Sequence, residues 1–255
     1  MQLLLMQLLL MQSQKGVFNL KLQCLGSSSK GNCYILEGKS SKLVLEAGIS
    51  FKHVKEALNF NLDVAGCLIT HEHKDHLGHV NSFLINSIQV YGTSGTLEGI
   101  QSHNINIIKS KKKFQVGEFI IMPFDSIHDA KEPVNFLIES TETKERLIFL
   151  TDTAYCKYIF KDIDYLMIET NYKESTLDEN VENGIYPEFL AQRIKETHME
   201  IETALDIIKA NDYKKVILIH LSDKNAEPLE FRNKVFKINK NVFIANKGLQ
   251  INLGG

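Results

Sequence analysis

Tryptophan is absent from this 255-residue sequence and proline occurs only four times. Neither shortage points to a function. Cysteine is also sparse: Cys24, Cys33, Cys67 and Cys156 are the four present. No two of them form a CxxC pair, which excludes the usual cysteine metal and redox motifs. Cys67 sits in the apolar run 65–69 and Cys24 closes another, so they read as small buried hydrophobes in a reducing, cytoplasmic compartment. An excess of either charge is missing as well. Lys and Arg number 29 against 31 Asp and Glu, a formal net charge of -2. Nothing global draws the chain to nucleic acid or an anionic membrane, and a polyanionic partner must meet a local basic patch. Outside the first twelve residues there is no apolar run long enough to cross a bilayer, so a soluble protein without stable membrane association is expected.

That opening, MQLLLMQLLLMQ, is a near-perfect repeat of MQLLL. It resembles a signal-peptide core in apolarity, but lacks a basic leading region and a small-residue cleavage site, and it is too short to span a membrane. Residues 1–16 are therefore read as an extension outside the fold. The remainder has ordinary globular composition, with 44% hydrophobic and 24% charged residues in the whole chain, enough for a sizeable core. No linker-like stretch interrupts 17–255, which is read as one domain.

Apolar–polar alternation at 17–25 predicts a half-buried strand, and SSSKGN at 27–32 a turn. Further strands are predicted at 33–36 and 43–45, and a helix at 51–58. Residues 64–69 are a continuous apolar run of strand length, the mark of a central strand covered on both faces. Strands follow at 88–91, 113–116, 119–124, 134–139, 147–150, 164–169 and 215–220, and closing strands at 242–244 and 249–251. Helical spacing marks 188–196, 200–211 and 226–236. Strands first, then strands mixed with helices, suits packed sheets with helices outside more than simple βαβ winding.

The chemistry concentrates where the run 64–69 ends, in Thr70-His71-Glu72-His73-Lys74-Asp75-His76. His71 and His73 stand two apart at a strand end, where alternate side chains share a side and can clamp one cation. After the chain turns, Asp75 and His76 are free to face a second. Neutral imidazole and carboxylate suit zinc or a similar divalent ion. Chance produces such a pattern in a chain of this composition with odds of about one in two thousand. As a solvated polar loop it would place three histidines behind a buried strand, a poor setting for unpaired polar groups. His128 in DSIHDA, Asp152 in FLTDTA and His220 in LIHLSD each follow an apolar strand. Strand-end loops collect functional groups. Each of the three alone is more often a hydrogen-bonded structural residue.

T-H-E-H-K-D-H, followed in order by a histidine, an aspartate in a T-D-T context and a strand-final histidine, resembles the metallo-β-lactamase superfamily over nearly the whole chain after residue 17. The resemblance implies an α/β (α+β) αββα four-layer sandwich. It also implies that His71, His73 and His128 bind one metal, Asp75, His76 and His220 another, and Asp152 bridges both. The YycJ/WalJ-like branch, which includes DNA exonucleases, is similar at three further places: LGSSSKGNCYIL, SIHDAKEP and IYPEFLAQRIKETHMEIETALDII. Departures from that pattern are Glu46 where Asp is usual, Thr197-His198-Met199-Glu200-Ile201 where G-H-L-S-N is usual, and Tyr172-Lys173 where H-D is usual.

Two divalent ions lower the pKa of a shared water, so that a nucleophile exists at neutral pH, and neutralise charge on a phosphoryl or carbonyl oxygen. Asp75 is a candidate for orienting the nucleophile or taking its proton. His198 is a candidate for protonating the leaving group, through its likeness to a histidine of tRNA 3′-end nucleases, and is equally a surface residue at a helix start. His53, His79 and His103 read as surface residues. Lys30 and Lys111, Lys112 and Lys113 can touch phosphates, or simply form solvated turns.

The resemblance makes DNA the expected substrate and a 5′-to-3′ exonuclease the expected activity, with two zinc ions, or manganese, as cofactors. Thioester, lactone or small cyclic phosphodiester hydrolysis on the same scaffold, and a non-catalytic metal-stabilised binding module, are the alternatives.

Overall fold

In the computed structural model, which describes residues 19–254, the apolar runs become fourteen strands. The repeat at 1–12 lies outside the described residues, as does the start of the first predicted strand. In chain order the elements are β1 (Lys21–Gly26), β2 (Cys33–Glu37), β3 (Lys42–Leu45), α1 (Phe51–Ala57), β4 (Gly66–Leu68), α2 (Lys74–Leu77), α3 (Val80–Ile85), β5 (Val90–Gly92), β6 (Ile105–Ile107), β7 (Phe114–Val116), β8 (Phe119–Asp125), β9 (Val134–Ser140), β10 (Arg146–Leu150), β11 (Tyr165–Glu169), α4 (Glu174–Glu182), α5 (Glu188–Thr197), α6 (Ile201–Lys209), β12 (Lys215–Ile219), α7 (Pro228–Phe236), β13 (Val242–Ile244) and β14 (Gln250–Asn252).

The strands form two seven-stranded sheets, ordered β14-β1-β2-β3-β4-β5-β6 and β13-β12-β11-β10-β9-β8-β7. Each sheet is antiparallel in one part and parallel in the other: β3 to β6 run parallel in the first, β10 to β13 in the second.

Strand alternation sorts side chains to two faces. Tyr34 and Leu36 of β2 point between the sheets, where they meet Phe119, Phe136, Phe149 and Met167 from the second sheet. Ile35, on the other face, packs with Val44, Cys67 and Val90 beneath Phe51 and Val54 of α1 and Phe83 of α3. The outer face of the second sheet, Ile148, Leu166 and Leu218, lies under Ile201, Ala204, Leu205 and Ile208 of α6 and Phe231 and Val235 of α7. The α6 residues recur at helical spacing and form one apolar stripe. Helix, sheet, sheet and helix make the expected four-layer sandwich. β11 and β4 are buried along their whole length, which explains their unbroken apolar sequences.

Four elements escaped the sequence patterns. α2 has four residues, and β6 is the tripeptide Ile-Asn-Ile. α3 is shorter than two turns, and α4 buries only Leu177, so neither displays a sustained stripe. Three of the cysteines, Cys24, Cys33 and Cys67, are buried and free, while Cys156 is half-buried and free.

Phe149 joins the two inner faces: it is fully buried and meets the Tyr34 ring edge-on at 5.6 Å. Phe149→Ala is expected to lower unfolding free energy by about 3–5 kcal/mol in urea titrations. A loss below about 1 kcal/mol would show that the sheets do not depend on this contact.

Candidate metal centre

The carboxyl ends of β3, β4, β10, β11 and β12 supply Glu46, His71, Asp152, Glu169 and His220 to one edge of the sandwich. Three of these leave their strands with a left-handed backbone: Glu46 at φ 69°, Asp152 at φ 45° and His220 at φ 52°. For a non-glycine residue that conformation costs about 1–3 kcal/mol and persists only where the surroundings impose it. Here it turns the chain abruptly out of the sheet, so that the side chain faces the cluster.

The strand-end clamp expected for His71 and His73 takes a different form. β4 ends at Leu68, and His71 and His73 lie in the connection to α2, with His73 preceding the first helical residue. Their rings nevertheless sit 4.7 Å apart, with the His128 ring 4.8 Å from His71 and 4.9 Å from His73. Asp75 and His76 ride on α2.

All seven expected donors converge. His71, His73 and His128 offer donor atoms within 4.8 Å of one another, as do His71, His76 and Asp152, and Asp75, His76 and His220. Asp152 Oδ2 lies 3.1 Å from His76 Nε2, while Oδ1 lies 3.8 Å from both His128 Nε2 and His220 Nδ1. Asp75 Oδ2 lies 3.2 Å from His76 Nε2 and 3.4 Å from His220 Nε2.

This donor set fits divalent cations. His71 Nδ1 meets the Thr70 hydroxyl at 2.9 Å, while its Nε2 is buried with no hydrogen-bond partner among the described residues. A buried unpaired donor or acceptor costs about 1–3 kcal/mol, a penalty that a bound cation removes. His128 Nε2 and His73 Nδ1 stand 3.1 Å apart, near the roughly 3.3 Å edge of a tetrahedron with metal–nitrogen bonds of about 2.0 Å. His128 Nδ1 donates to the Thr197 carbonyl at 2.8 Å, which fixes the tautomer and leaves Nε2 for the cluster.

The flanking residues explain the local sequence. In T-D-T, the Thr151 hydroxyl donates to Asp152 Oδ2 at 2.7 Å, and Thr153 Oγ1 accepts from Ile127 N at 3.0 Å, tying down the loop that carries His128. In the serine-rich opening, Ser27 Oγ accepts from His220 N at 2.9 Å, and Asn32 N donates to the Asp75 carbonyl at 2.8 Å. A Cβ at Gly48 would fall 1.6 Å from that same carbonyl, so only glycine lets β3 hand over to α1 alongside α2. Glu46 stands behind His76, its Oε2 3.5 Å from His76 Nδ1. That separation leaves Nδ1 without a hydrogen bond.

Glu169 is the site residue that sequence reasoning missed. It is fully buried at the end of β11. Its Oε1 accepts from His198 Nδ1 at 2.7 Å and lies 3.0 Å from His220 Nδ1, while Oε2 accepts from Thr153 N at 3.0 Å. A carboxylate closing an otherwise apolar five-residue strand was the available signal. His198 follows α5 directly, with its side chain 15% exposed, and it lines the same cavity as His73, Asp75, Asp152 and His220. It is thus a member of the site and not a surface residue.

Charge balance holds the cluster together. Burial alone would raise the Asp75 and Asp152 carboxyls, but the hydrogen bonds and positive charge of His220 and His76 outweigh it and hold both well below the usual range. Burial likewise opposes protonation of His220, yet Asp152, Asp75 and Glu169 push it up to about 10. His198 is raised too: burial disfavours its charge, and Glu169 and Asp152 more than compensate. His71 is driven down by burial and by the charge of His76, so it stays neutral, the form in which imidazole binds metal.

His53, His79 and His103 are exposed and outside the cluster. Lys30 is exposed and paired with Asp223 at 2.5 Å, next to Ser29 on the cavity wall. Lys111 is engaged by Asp125 at 2.8 Å. No helix among the described residues is long and apolar enough to cross a membrane.

Residues 45–221 match the family described as the beta-lactamase superfamily domain, a span running from the end of β3 to just past His220. The chain belongs to this superfamily. Its donor set and its relatives make it a metal-dependent hydrolase. The exodeoxyribonuclease YycJ of Bacillus anthracis is 29% identical over 229 residues, covering 80% of this chain and 84% of that protein. Among solved structures, the metallo-β-lactamase fold protein YhfI of Bacillus subtilis superposes with a TM-score of 0.71 at 16% identity, over 91% of this chain and 99% of that one. Zn(2+)-bound PqqB of Methylobacterium extorquens gives a TM-score of 0.68 at 14% identity, over 91% and 99%. These likenesses establish the metallo-β-lactamase fold.

Because folding raises the His220 pKa from 6.5 to about 10, its charge stabilises the metal-free protein fully below about pH 6.5, and that contribution is lost as the pH rises through about 10. In chelator-treated samples, the gap in Tm between wild type and His220→Asn is expected to be widest near pH 6 and to narrow towards pH 10. A gap independent of pH would show that His220 is uncharged in the folded apoprotein.

Proposed function

We propose that this protein is a dinuclear metal-dependent phosphodiesterase acting on DNA as a cytoplasmic 5′-to-3′ exonuclease. The observation that carries the reading is the convergence of seven donors, of which His73, Asp75, Asp152 and His220 line a cavity that also presents His198, backed by the buried Glu169. The named activity of the YycJ relative supports DNA as the substrate.

His71, His73 and His128 would hold one ion and Asp75, His76 and His220 the other, with Asp152 between them. Two groups of donor atoms lying within 4.8 Å of one another, His71 with His73 and His128, and Asp75 with His76 and His220, support this division, while Asp152 falls in two others, one with His71 and His76 and one with Glu169, His198 and His220. Zinc suits the imidazole-rich donors, and manganese tolerates the same ligands. When bound, the ions supply a water of lowered pKa and neutralise charge on the phosphoryl oxygens.

The chain's own groups do the rest. Asp75 Oδ2 lies beside His76 Nε2 and His220 Nε2 and would join them in holding the ion, which leaves Oδ1 to orient the attacking water or take its proton. His198 delivers a proton to the departing 3′ oxygen. Its Nδ1 is committed to Glu169 at 2.7 Å, so the proton leaves from Nε2. The His198 hydrogen bond to the buried Glu169 carboxylate favours the charged ring, the form that has a proton to give. Glu169 holds the ring in this tautomer and balances its charge.

Metal-loaded protein is expected to degrade 5′-labelled single-stranded, duplex or nicked DNA from the labelled end, and to lose activity on chelation. Intact DNA alongside hydrolysis of a thioester, a lactone or a cyclic phosphodiester would overturn the reading.

Asp75→Asn is expected to abolish cleavage. His198→Ala should lower kcat by about 10²–10⁴-fold without loss of bound metal by elemental analysis. A bridging 3′-phosphorothiolate, whose thiolate leaves without a proton, should restore most of that loss. Failure of this substrate to help would remove His198 from the proton-donor role.

A further inference from the structure

Part of the cavity is left over when the donors and the Glu169–His198 pair are accounted for. The cavity as a whole has a volume of about 260 Å³, and beyond the donors and His198 it is lined by Tyr186, Leu190, Arg193 and Ile194 together with Ser222 and Asn225. The first four fall within residues 186–194, the stretch that leads into and runs along α5. Residues 190, 193 and 194 share one side of α5 by helical spacing.

The wall is braced and chemically mixed. Asn180 binds both sides of it: its carbonyl accepts from Tyr186 N at 3.2 Å, and its Nδ2 donates to Asn225 Oδ1 at 2.8 Å. Tyr186 is half-buried, with Lys224 Nζ 5.5 Å from its ring centroid. Asn225 is only 1% exposed, and its Nδ2 is buried with no hydrogen-bond partner among the described residues. An unmet buried amide donor is costly, and an acceptor brought by a ligand relieves it. Arg193 Nε donates to Asp129 Oδ2 at 2.6 Å, and Asp129 Oδ1 lies 3.5 Å from His128 Nε2. The guanidinium is half-exposed and keeps its remaining N–H donors for a phosphate.

We propose that this wall seats the terminal nucleotide of the DNA strand. The base stacks on Tyr186, Asn225 Nδ2 donates to an in-plane acceptor of the base, and Arg193 holds the phosphate that enters the donor cluster. The inference rests on the phosphodiesterase reading above. Stacking on one aromatic ring tolerates every base, because each has a π face. It also requires an unpaired base, so the substrate class is a single-stranded or frayed 5′ end, cut with little sequence preference.

Steady-state kinetics on a 5′-labelled single-stranded oligonucleotide test this. Tyr186→Leu is expected to raise KM by about 5- to 150-fold, the range for one lost stacking contact, with kcat within about threefold. Tyr186→Phe, which keeps the ring, should stay within about threefold in KM. With 2-aminopurine as the terminal base and Asp75→Asn to halt cleavage, binding should quench fluorescence, and adding Tyr186→Leu should abolish the quench. A terminal 5-iodouracil should crosslink the wild-type protein at Tyr186, a readout that stands even where Tyr186→Leu fails to fold. Wild-type protein inactive on every DNA would defeat the phosphodiesterase reading. Active wild type with an unchanged Tyr186→Leu KM, or a crosslink on another element, would defeat this proposal alone.

Discussion

The structure turns on a buried carboxylate, Asp152, shared among imidazoles. It is 3% exposed and lies within 3.1–3.8 Å of His76, His128, His198 and His220. An isolated carboxylate at such a place would neutralise itself sooner than remain charged. Its ionised form survives because two protonated histidines beside it outweigh the burial penalty. Glu169, fully buried one strand away, extends the arrangement to His198. The cluster is therefore an electrostatic unit in which removing one charge leaves another uncompensated in a poorly solvated place.

Two packed sheets can hold such a unit because their parallel strands end at one edge. The apolar strands are rigid along their length, and the donors begin where the hydrogen-bonded ladder stops. Left-handed residues at 46, 152 and 220 bend the backbone sharply there. Their strain is offset by contacts on all sides: Ser27 to the His220 backbone, Thr70 N to Glu46, and Ser126 Oγ to the Asp152 carbonyl. Glu46 is itself fully buried behind His76, with its Oε2 3.5 Å from His76 Nδ1. Fold stability and site geometry are thus coupled through backbone turns as well as through charge.

The cavity divides by chemistry. One part of its lining is imidazole and carboxylate, while the part from α5 and the turn before it is apolar and aromatic with one guanidinium. The wall is carried by α5 and the turn before it, which holds the half-exposed Ile185 and the exposed Gly184 and Pro187.

Much of this was legible from local pattern. Unbroken apolar runs marked β4, β10, β11 and β12, and period-two alternation marked the half-buried strands, because burial on one or two faces imposes those patterns on consecutive residues. Spacing and residue type marked His71, His73, Asp75 and His76 as candidate donors, and the family resemblance added His128, Asp152 and His220, each a His or carboxylate just past an apolar strand. Short elements such as α2 and β6 left no pattern, being shorter than a full period of evidence. What only the tertiary structure decided was which residues meet. Glu169 reads as one acid among thirty-one acidic residues until folding places it 2.7 Å from His198 and 3.0 Å from His220. Tyr186 and Asn225 become one wall only through Asn180. Residue type and periodicity are properties of neighbours along the chain, whereas a charge balance or a cavity is a property of neighbours in space, and the packing of sheets and helices creates those.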